Sequence, residues 1–244
     1  MPQHPTYYRD DLAAVHQLGF GFHAERCAPG ILAALAPVRE RGGLVLELGC
    51  GSGHLTRYLL DAGHRVIASD ASPAMLAIAR TVAGEAESIV PIVLPDDPLP
   101  AADAIVAIGH VLNYLPDEEA VRRALIAIAG ALRPGGVLAI DMQDLRWGEA
   151  YRNAPNQARV AEEWALISEF EVPEPARFVR RHISFTRAGD GSWRRDEEVH
   201  RNVLMDTSTL PAFLEPHGLR VRAGSAFGDE ELPAGLVTLV GTRK

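Results

Sequence analysis

Cysteine is scarce: Cys27 and Cys50 are the only two in 244 residues. They form no CxxC pair, so no disulfide framework is expected. Positive charge is also in deficit. The 24 Lys and Arg face 32 Asp and Glu, a formal charge of −8. That balance argues against a protein that grips long nucleic acid and favours a small-molecule or protein substrate. No apolar run approaches the length needed to span a bilayer. The opening stretch "MPQHPTYYRDDL" lacks the basic-then-apolar order of a secretory signal. A cytoplasmic protein with no membrane contact is therefore expected. The chain has no internal repeat or low-complexity tract. It also lacks the Gly-Lys-Ser/Thr of a P-loop and any compact metal-ligand spacing such as HExxH, so no metal is expected. Hydrophobic residues at 47% and charged residues at 23% are ordinary globular usage, and the length allows a substantial core.

What the chain does have is alternation. Residues 10–36 are helical in pattern, broken at "GFGF", with Pro29 opening a second helix. "LVLEL" (Leu44 to Leu48) is short, apolar and bounded by glycines, as a strand buried on both faces would be. "HLTRYLLDAG" reads as a helix ending at Gly63. "RVIASD" is a second strand, and Ser72 with Pro73 caps and opens the next helix. "SIVPIVL", "DAIVAIG" and "VLAIDM" are further strands; Pro91 puts the first of these at an edge or breaks it early. "DEEAVRRALIAIAGAL" is a helix with acids in its first turn. Strands alternating with helices imply parallel pairing through right-handed crossovers. After about residue 145 the pattern changes. "ARFVRRHISFTRAG" and "WRRDEEVHRNVLM" read as a long hairpin with Asp190 and Gly191 at its tip. The helix "STLPAFLEPHG" and the strands "LRVRAG" and "GLVTLVGTR" close the chain.

"VLELGCGSGHLTRYLL" (Val45 to Leu60) spends three of five residues on glycine: Gly49, Gly51 and Gly53. Such a turn between a buried strand and a helix exposes backbone N–H groups and the positive end of the helix dipole. It also lets a ligand approach without meeting a Cβ. A dinucleotide fold wants G-x-G-x-x-G; counted from Gly49, the last glycine falls on His54. Asp70 ends the second strand about twenty residues on, where a carboxylate can accept from both hydroxyls of a ribose.

"VLELGCGSG", "VIASDASPAML", "DAIVAIGHVLNYLPD" and "LRPGGVLAIDM" follow in order over roughly residues 40–145. Together they resemble the class I S-adenosylmethionine (SAM)-dependent methyltransferases, and "YYRDDLAAVHQLGFGF" resembles the cap segment of bacterial small-molecule members. The resemblance implies an α/β, Rossmann-like doubly wound fold. Its seven-stranded sheet is mostly parallel with the last strand antiparallel, carrying an N-terminal helical cap and an inserted antiparallel hairpin. The corresponding boundaries are a cap over 1–42, a SAM-binding core over 43–145, a substrate roof over 146–206 and closing elements over 207–244. It implies SAM as cofactor, with S-adenosylhomocysteine as product. Glu47 and the backbone of Gly49, Cys50 and Gly51 would receive the methionine part, with Gly53 also counted as cofactor-binding. Asp70 would hold the ribose, and Ala71 and Met75 would lie on the adenine. Asp96, or its rival Asp97, would meet the adenine amino group. Ile108, Gly109 and His110 would sit beside the sulfonium, and Tyr8, His16 and Phe20 would cover the cofactor.

An oxygen or nitrogen acceptor that carries a proton has to lose it, and histidine is the default base. Three candidates stand out. His110 ends the fourth strand, either as a base or as an N–H orienting a loop. His182 and His200 lie on opposite limbs of the hairpin, each on the face opposite its apolar neighbours (Val179, Ile183 and Phe185; Val199, Val203 and Met205). They either line a pocket or form a solvated face. Trp147, Tyr151 and Trp164 are expected to pack a lid onto the core. Arg180, Arg181, Arg194 and Arg195 are expected to pair with Asp196, Glu197 and Glu198 on a solvated face; an anionic substrate is the other reading. "GHVLNYL" has no Pro-Pro-aromatic segment, so DNA is not an expected partner. A small-molecule acceptor is. The sequence is silent on oligomeric state and leaves a homodimer open. Competing readings are a SAM-binding enzyme of cyclising or lyase chemistry, an NAD(P) oxidoreductase, or a non-enzymatic SAM-binding module.

Overall fold

The structure is a computed structural model and describes residues 7–229 and 231–244. Two helices open it, α1 (Asp10–Gly19) and α2 (Phe22–Glu40). Then strands β1 (Leu44–Leu48), β2 (Arg65–Asp70), β3 (Ser88–Pro91), β4 (Ala102–Ala107) and β5 (Leu132–Gln143) alternate with helices. The helices are α3 (His54–Asp61), α4 (Pro73–Val82) and α5 (Glu118–Ala131). After α6 (Leu145–Tyr151) come β6 (Gln157–Val160), β7 (Trp164–Glu174), β8 (Arg177–Arg187) and β9 (Trp193–Val203). The short α7 (Leu210–Leu214) precedes β10 (Leu219–Gly224) and β11 (Leu236–Arg243).

The caps follow local chemistry. Ser72 Oγ accepts the Met75 N–H at 3.2 Å and Asp117 Oδ1 accepts the Ala120 N–H at 2.8 Å, each satisfying a donor that the first helical turn leaves unpaired. Pro29, however, lies inside α2 rather than at its start, and so does Pro37. The helix begins seven residues earlier, at Phe22. Burial of Ala24, Cys27, Ala28, Ile31, Leu35 and Val38 outweighs the backbone bonds that the two prolines forgo.

The main sheet has the order β10-β11-β5-β4-β1-β2-β3. β1 pairs in parallel with β2 and β4, β2 with β3, and β4 with β5. β11, last in the chain, runs antiparallel to both of its neighbours. Side chains alternate across the sheet. Leu46, Leu48, Ile105 and Leu138 pack with α5 on one side. Val45, Ala104 and Val106 pack with α2, α3 and α4 on the other. The strand order reverses between β1 and β4, which opens a crevice at their carboxyl ends, the position where doubly wound sheets hold ligands.

A second, wholly antiparallel sheet, β6-β7-β8-β9, stands over that crevice. The expected hairpin is its β8–β9 half, with Asp190 and Gly191 in the connecting turn. The strands β6 and β7 were not expected, although "WALISEFEVPE" carries the signal: Leu166, Phe170 and Val172 alternate with Glu169 and Glu171. No helix among the described residues is long and apolar enough to cross a membrane.

Candidate active site

The space between the two sheets is a cavity of about 630 Å³, within the size range of small-molecule sites. Its floor is the glycine turn. Gly49 and Gly51 have φ of +67° and +54°, a region that other residues occupy at a cost. A Cβ on Gly49 would come within 2.4 Å of Val111 Cγ2. At Gly51 a Cβ would meet no atom within 4 Å and would project into open space. Cys50 N–H is held by Ser69 C=O at 2.8 Å. Asp70 accepts the Gly51 N–H through Oδ2 and the Ser72 N–H through Oδ1, both at 2.8 Å. Burial raises the Asp70 pKa against these backbone bonds. Glu47 is 2% exposed, accepts from Thr56 Oγ1 at 2.6 Å and has no cationic partner among the described residues. Burial pushes its pKa up to about 7, the Thr56 bond opposing and Asp70 adding to the rise.

The other wall is tied together by residues the sequence reading passed over. Asp141, fully buried in β5, accepts the Gly109 N–H at 3.0 Å and the His110 N–H at 2.5 Å. It also holds His23 Nε2 at 2.7 Å. Burial disfavours the His23 cation, but its bonds to Asp141 and Cys27 prevail and raise its pKa to about 10. The donor atoms of His23, Cys27 and Asp141 converge within 4.8 Å, two of them already joined in the ion pair. The clamp fixes His110 in the left-handed region, φ +53°. An acid in the otherwise apolar strand "VLAIDM" was the available signal.

Around His110 lies a polar cluster. Arg180 Nη2 donates to Tyr114 Oη at 2.6 Å, to His110 Nε2 at 2.9 Å and to Asn202 Oδ1 at 3.4 Å. Tyr8 Oη and Tyr114 Oη are 3.0 Å apart. Burial and the Arg180 charge push His110 well below the usual imidazole range, and the same two effects lower His182 to about 2. The N-terminal segment is pinned from two sides. Glu198 accepts the Tyr8 and Arg9 N–H groups, each at 2.7 Å, and Ser72 Oγ donates to Tyr8 C=O at 2.8 Å.

Tyr8, His16, Phe20, Glu47, Gly49, Cys50, Gly51, Asp70, Ala71, Met75, Ile108, Gly109, His110 and His182 all line this one cavity. Four expected residues do not. Gly53 is the N-cap of α3 with φ +89°, and a Cβ there would meet Ala79 Cα at 3.3 Å, so it serves helix packing. Asp97 accepts the Val93 N–H at 2.7 Å, and Asp96 is 58% exposed, 3.9 Å from Arg123. The preceding Ile92, Val93 and Leu94 line the cavity instead. His200 is fully buried behind Tyr114, with Nδ1 3.3 Å from Tyr114 Oη and Nε2 3.0 Å from Glu198 Oε2. Nor is the histidine face of the hairpin solvated: Phe178, His182, Ser184, Thr186, Glu198, His200 and Asn202 are buried. Trp147 and Trp164 are buried and Tyr151 stacks on Trp147 with centroids 4.7 Å apart; Trp147 and Tyr151 also face the cavity.

Residues 46–138 match the model of a methyltransferase domain family. A putative methyltransferase of Geobacillus sp. (strain WCH70) is 24% identical over 201 residues, 80% of this chain and 81% of that protein. Trans-aconitate 2-methyltransferase of Escherichia coli is 35% identical over 126 residues, 50% of this chain and 48% of that enzyme. The chain thus spans about half the length of that relative. A SAM-dependent methyltransferase structure from Clostridium acetobutylicum superposes with a TM-score of 0.79 at 16% identity, covering 95% of this chain and 97% of that one. The open cradle at Gly51, the buried Glu47 and the Asp70 carboxylate at the neighbouring strand end line one wall of the cavity. Geometry and relatives converge: residues 46–138 form a methyltransferase domain, within a fold shared with S-adenosylmethionine-dependent methyltransferases.

Proposed function

We propose that the protein methylates an oxygen or nitrogen of a small-molecule acceptor bound between the glycine turn and the roof sheet. The observation that carries this reading is that one cavity runs from Glu47 and Asp70 to Phe178, Arg180 and His182. Cofactor residues and roof residues therefore share a single space.

SAM, when bound, supplies a methyl group made electrophilic by its sulfonium. The protein's part is to bind, orient and exclude water, and positioning of this kind can supply roughly 7–11 kcal/mol. The Asp70 carboxylate accepts from ribose hydroxyls. Glu47, desolvated and without a cation, receives the α-amino group. Met75, Ile92 and Leu94 form the apolar slot for the adenine. Tyr8 and Phe20 close the site from the N-terminal segment, which Glu198 and Ser72 hold in place. The free, buried Cys27 and Cys50 fit a reducing cytoplasm. Purified protein should bind SAM and S-adenosylhomocysteine by calorimetry. With acceptor it should release S-adenosylhomocysteine; formation of methylthioadenosine instead would shift the reading to cyclising or lyase chemistry.

A further inference from the structure

Neighbouring arginines in the roof meet opposite fates. Arg181 binds Glu197 at 2.6 Å and Glu169 at 2.9 Å. Arg194 pairs with Asp11, and Arg195 with Glu197 at 2.6 Å. Arg180 points inward and forms no ion pair with any described carboxylate. Its three hydrogen bonds all leave from Nη2 and end on neutral groups. Nη1 donates to nothing among the described residues, and Nε is shielded from solvent without a partner. A guanidinium in a cavity wall without a counter-charge is costly. The sulfonium that the cavity accommodates adds a second positive charge.

The histidines of this wall are also poor proton acceptors. His110 Nε2 already receives the Arg180 N–H. His182 Nδ1 lies 3.0 Å from Ser168 Oγ, and burial first and Arg180 next keep this ring neutral. His16 is likewise depressed by burial, to about 3, and His23 is committed to Asp141. The cavity's carboxylates, Glu47 and Asp70, belong to the glycine-turn wall. A hydroxyl or an ammonium acceptor would need a base here, and an ammonium would also be repelled by Arg180. A carboxylate arrives ionised, needs no base and brings the missing counter-charge.

Resting on the methyl-transfer reading above, we propose that the acceptor is a small carboxylic acid, that Arg180 binds it through Nη1, and that the product is its methyl ester. The carboxylate oxygen supplies the electron pair of the new O–CH₃ bond. The CH₃–S bond breaks with its pair staying on sulfur. One negative and one positive charge are consumed, and no proton is released. Because the acceptor's charge fades as the bond forms, Arg180 favours the bound acid more than the transition state. Its loss therefore raises KM more than it lowers kcat.

The test uses the S-adenosylhomocysteine complex of the whole chain. Short mono-, di- and tricarboxylic acids are titrated beside their carboxamides by calorimetry. At least one acid is expected to bind ten-fold or more tightly than its amide. R180Q erases that difference, R181Q keeps it, and both variants bind S-adenosylhomocysteine as the wild type does, which shows that they are folded. With SAM, that acid gives a methyl ester and S-adenosylhomocysteine in weakly buffered solution with no proton release. If amides, amines or phenols bind equally well, if R180Q keeps the preference, or if turnover releases one proton, the carboxylate proposal is overturned while methyl transfer stands. Failure to bind either nucleoside strikes the methyl-transfer reading itself.

Discussion

The two sheets obey one rule of alternation and put it to opposite uses. In the main sheet both faces are apolar, and polar groups collect at the carboxyl ends, at Glu47, Asp70 and the Asp141 clamp. In the roof sheet the inward face of β8 carries Arg180, His182, Ser184 and Thr186, while Val179, Ile183 and Phe185 lie half-exposed on the other side. Apolar side chains mark the inside of a strand only when the inside is a packed core. Where it is the wall of a ligand cavity, polar groups face in and satisfy one another, as His182 does with Ser168 and Arg180 with His110.

The sharpest way to break the contrast is at Asp141, where the main sheet reaches the roof cluster. Asp141→Ala strips the buried acceptor from three half-buried donors. Breaking such a pair costs roughly 3–5 kcal/mol, a fall in melting temperature on the order of 10 °C for a chain of this size. The His23 partnership adds a pH signature. Its folded pKa is raised to about 10, so its contribution is complete below about pH 6.5, the unfolded value, and fades as the pH rises towards 10. Melting curves at pH 6, 8 and 10 should show that loss in the wild type and not in His23→Gln.

Asp70→Ala comes next. On the proposed reading it removes the ribose acceptor, and it releases the Gly51 and Ser72 N–H groups together. At about 1.5–3 kcal/mol for a hydrogen bond to a charged group, SAM binding should weaken by roughly 100-fold or more in calorimetry. Wild-type affinity would take Asp70 out of the cofactor site.

His110→Ala sharpens the roof side. If the residue only steadies Arg180, turnover falls about ten-fold with SAM affinity little changed, the cost of a misplaced group. A loss of 10²–10⁴-fold, restored at high pH by added imidazole, would make it a proton acceptor. The smallest effect belongs to Arg181→Ala. Exposed ion pairs contribute little, so turnover should stay within about two-fold of wild type. A large loss there would abolish the distinction between the inward and outward arginines.

How much of this was legible follows the same division. Gly49 and Gly51 could be read directly, because only glycine serves a left-handed turn that must also leave room. The place of Asp70 in the cavity wall could be read because it ends the strand beside the glycine turn. Asp96 and Asp97 could not: both satisfy neighbours outside the cavity, and the apolar Ile92, Val93 and Leu94 take that wall. Gly53 shared the spacing of its neighbours but answers to helix packing. His200 shared the register of His182 but sits one layer behind, under Tyr114.

The succession of strands and helices through the core and the glycine turn after β1 were determined by local sequence, because periodicity and glycine placement act within a few residues of themselves. Which of four roof arginines lacks a counter-charge, and which acid clamps His110, were decided only by tertiary structure. Asp141 and His23 are 118 positions apart, and Arg180 and His110 are 70. Electrostatic partnership depends on distance in space, which no local pattern encodes.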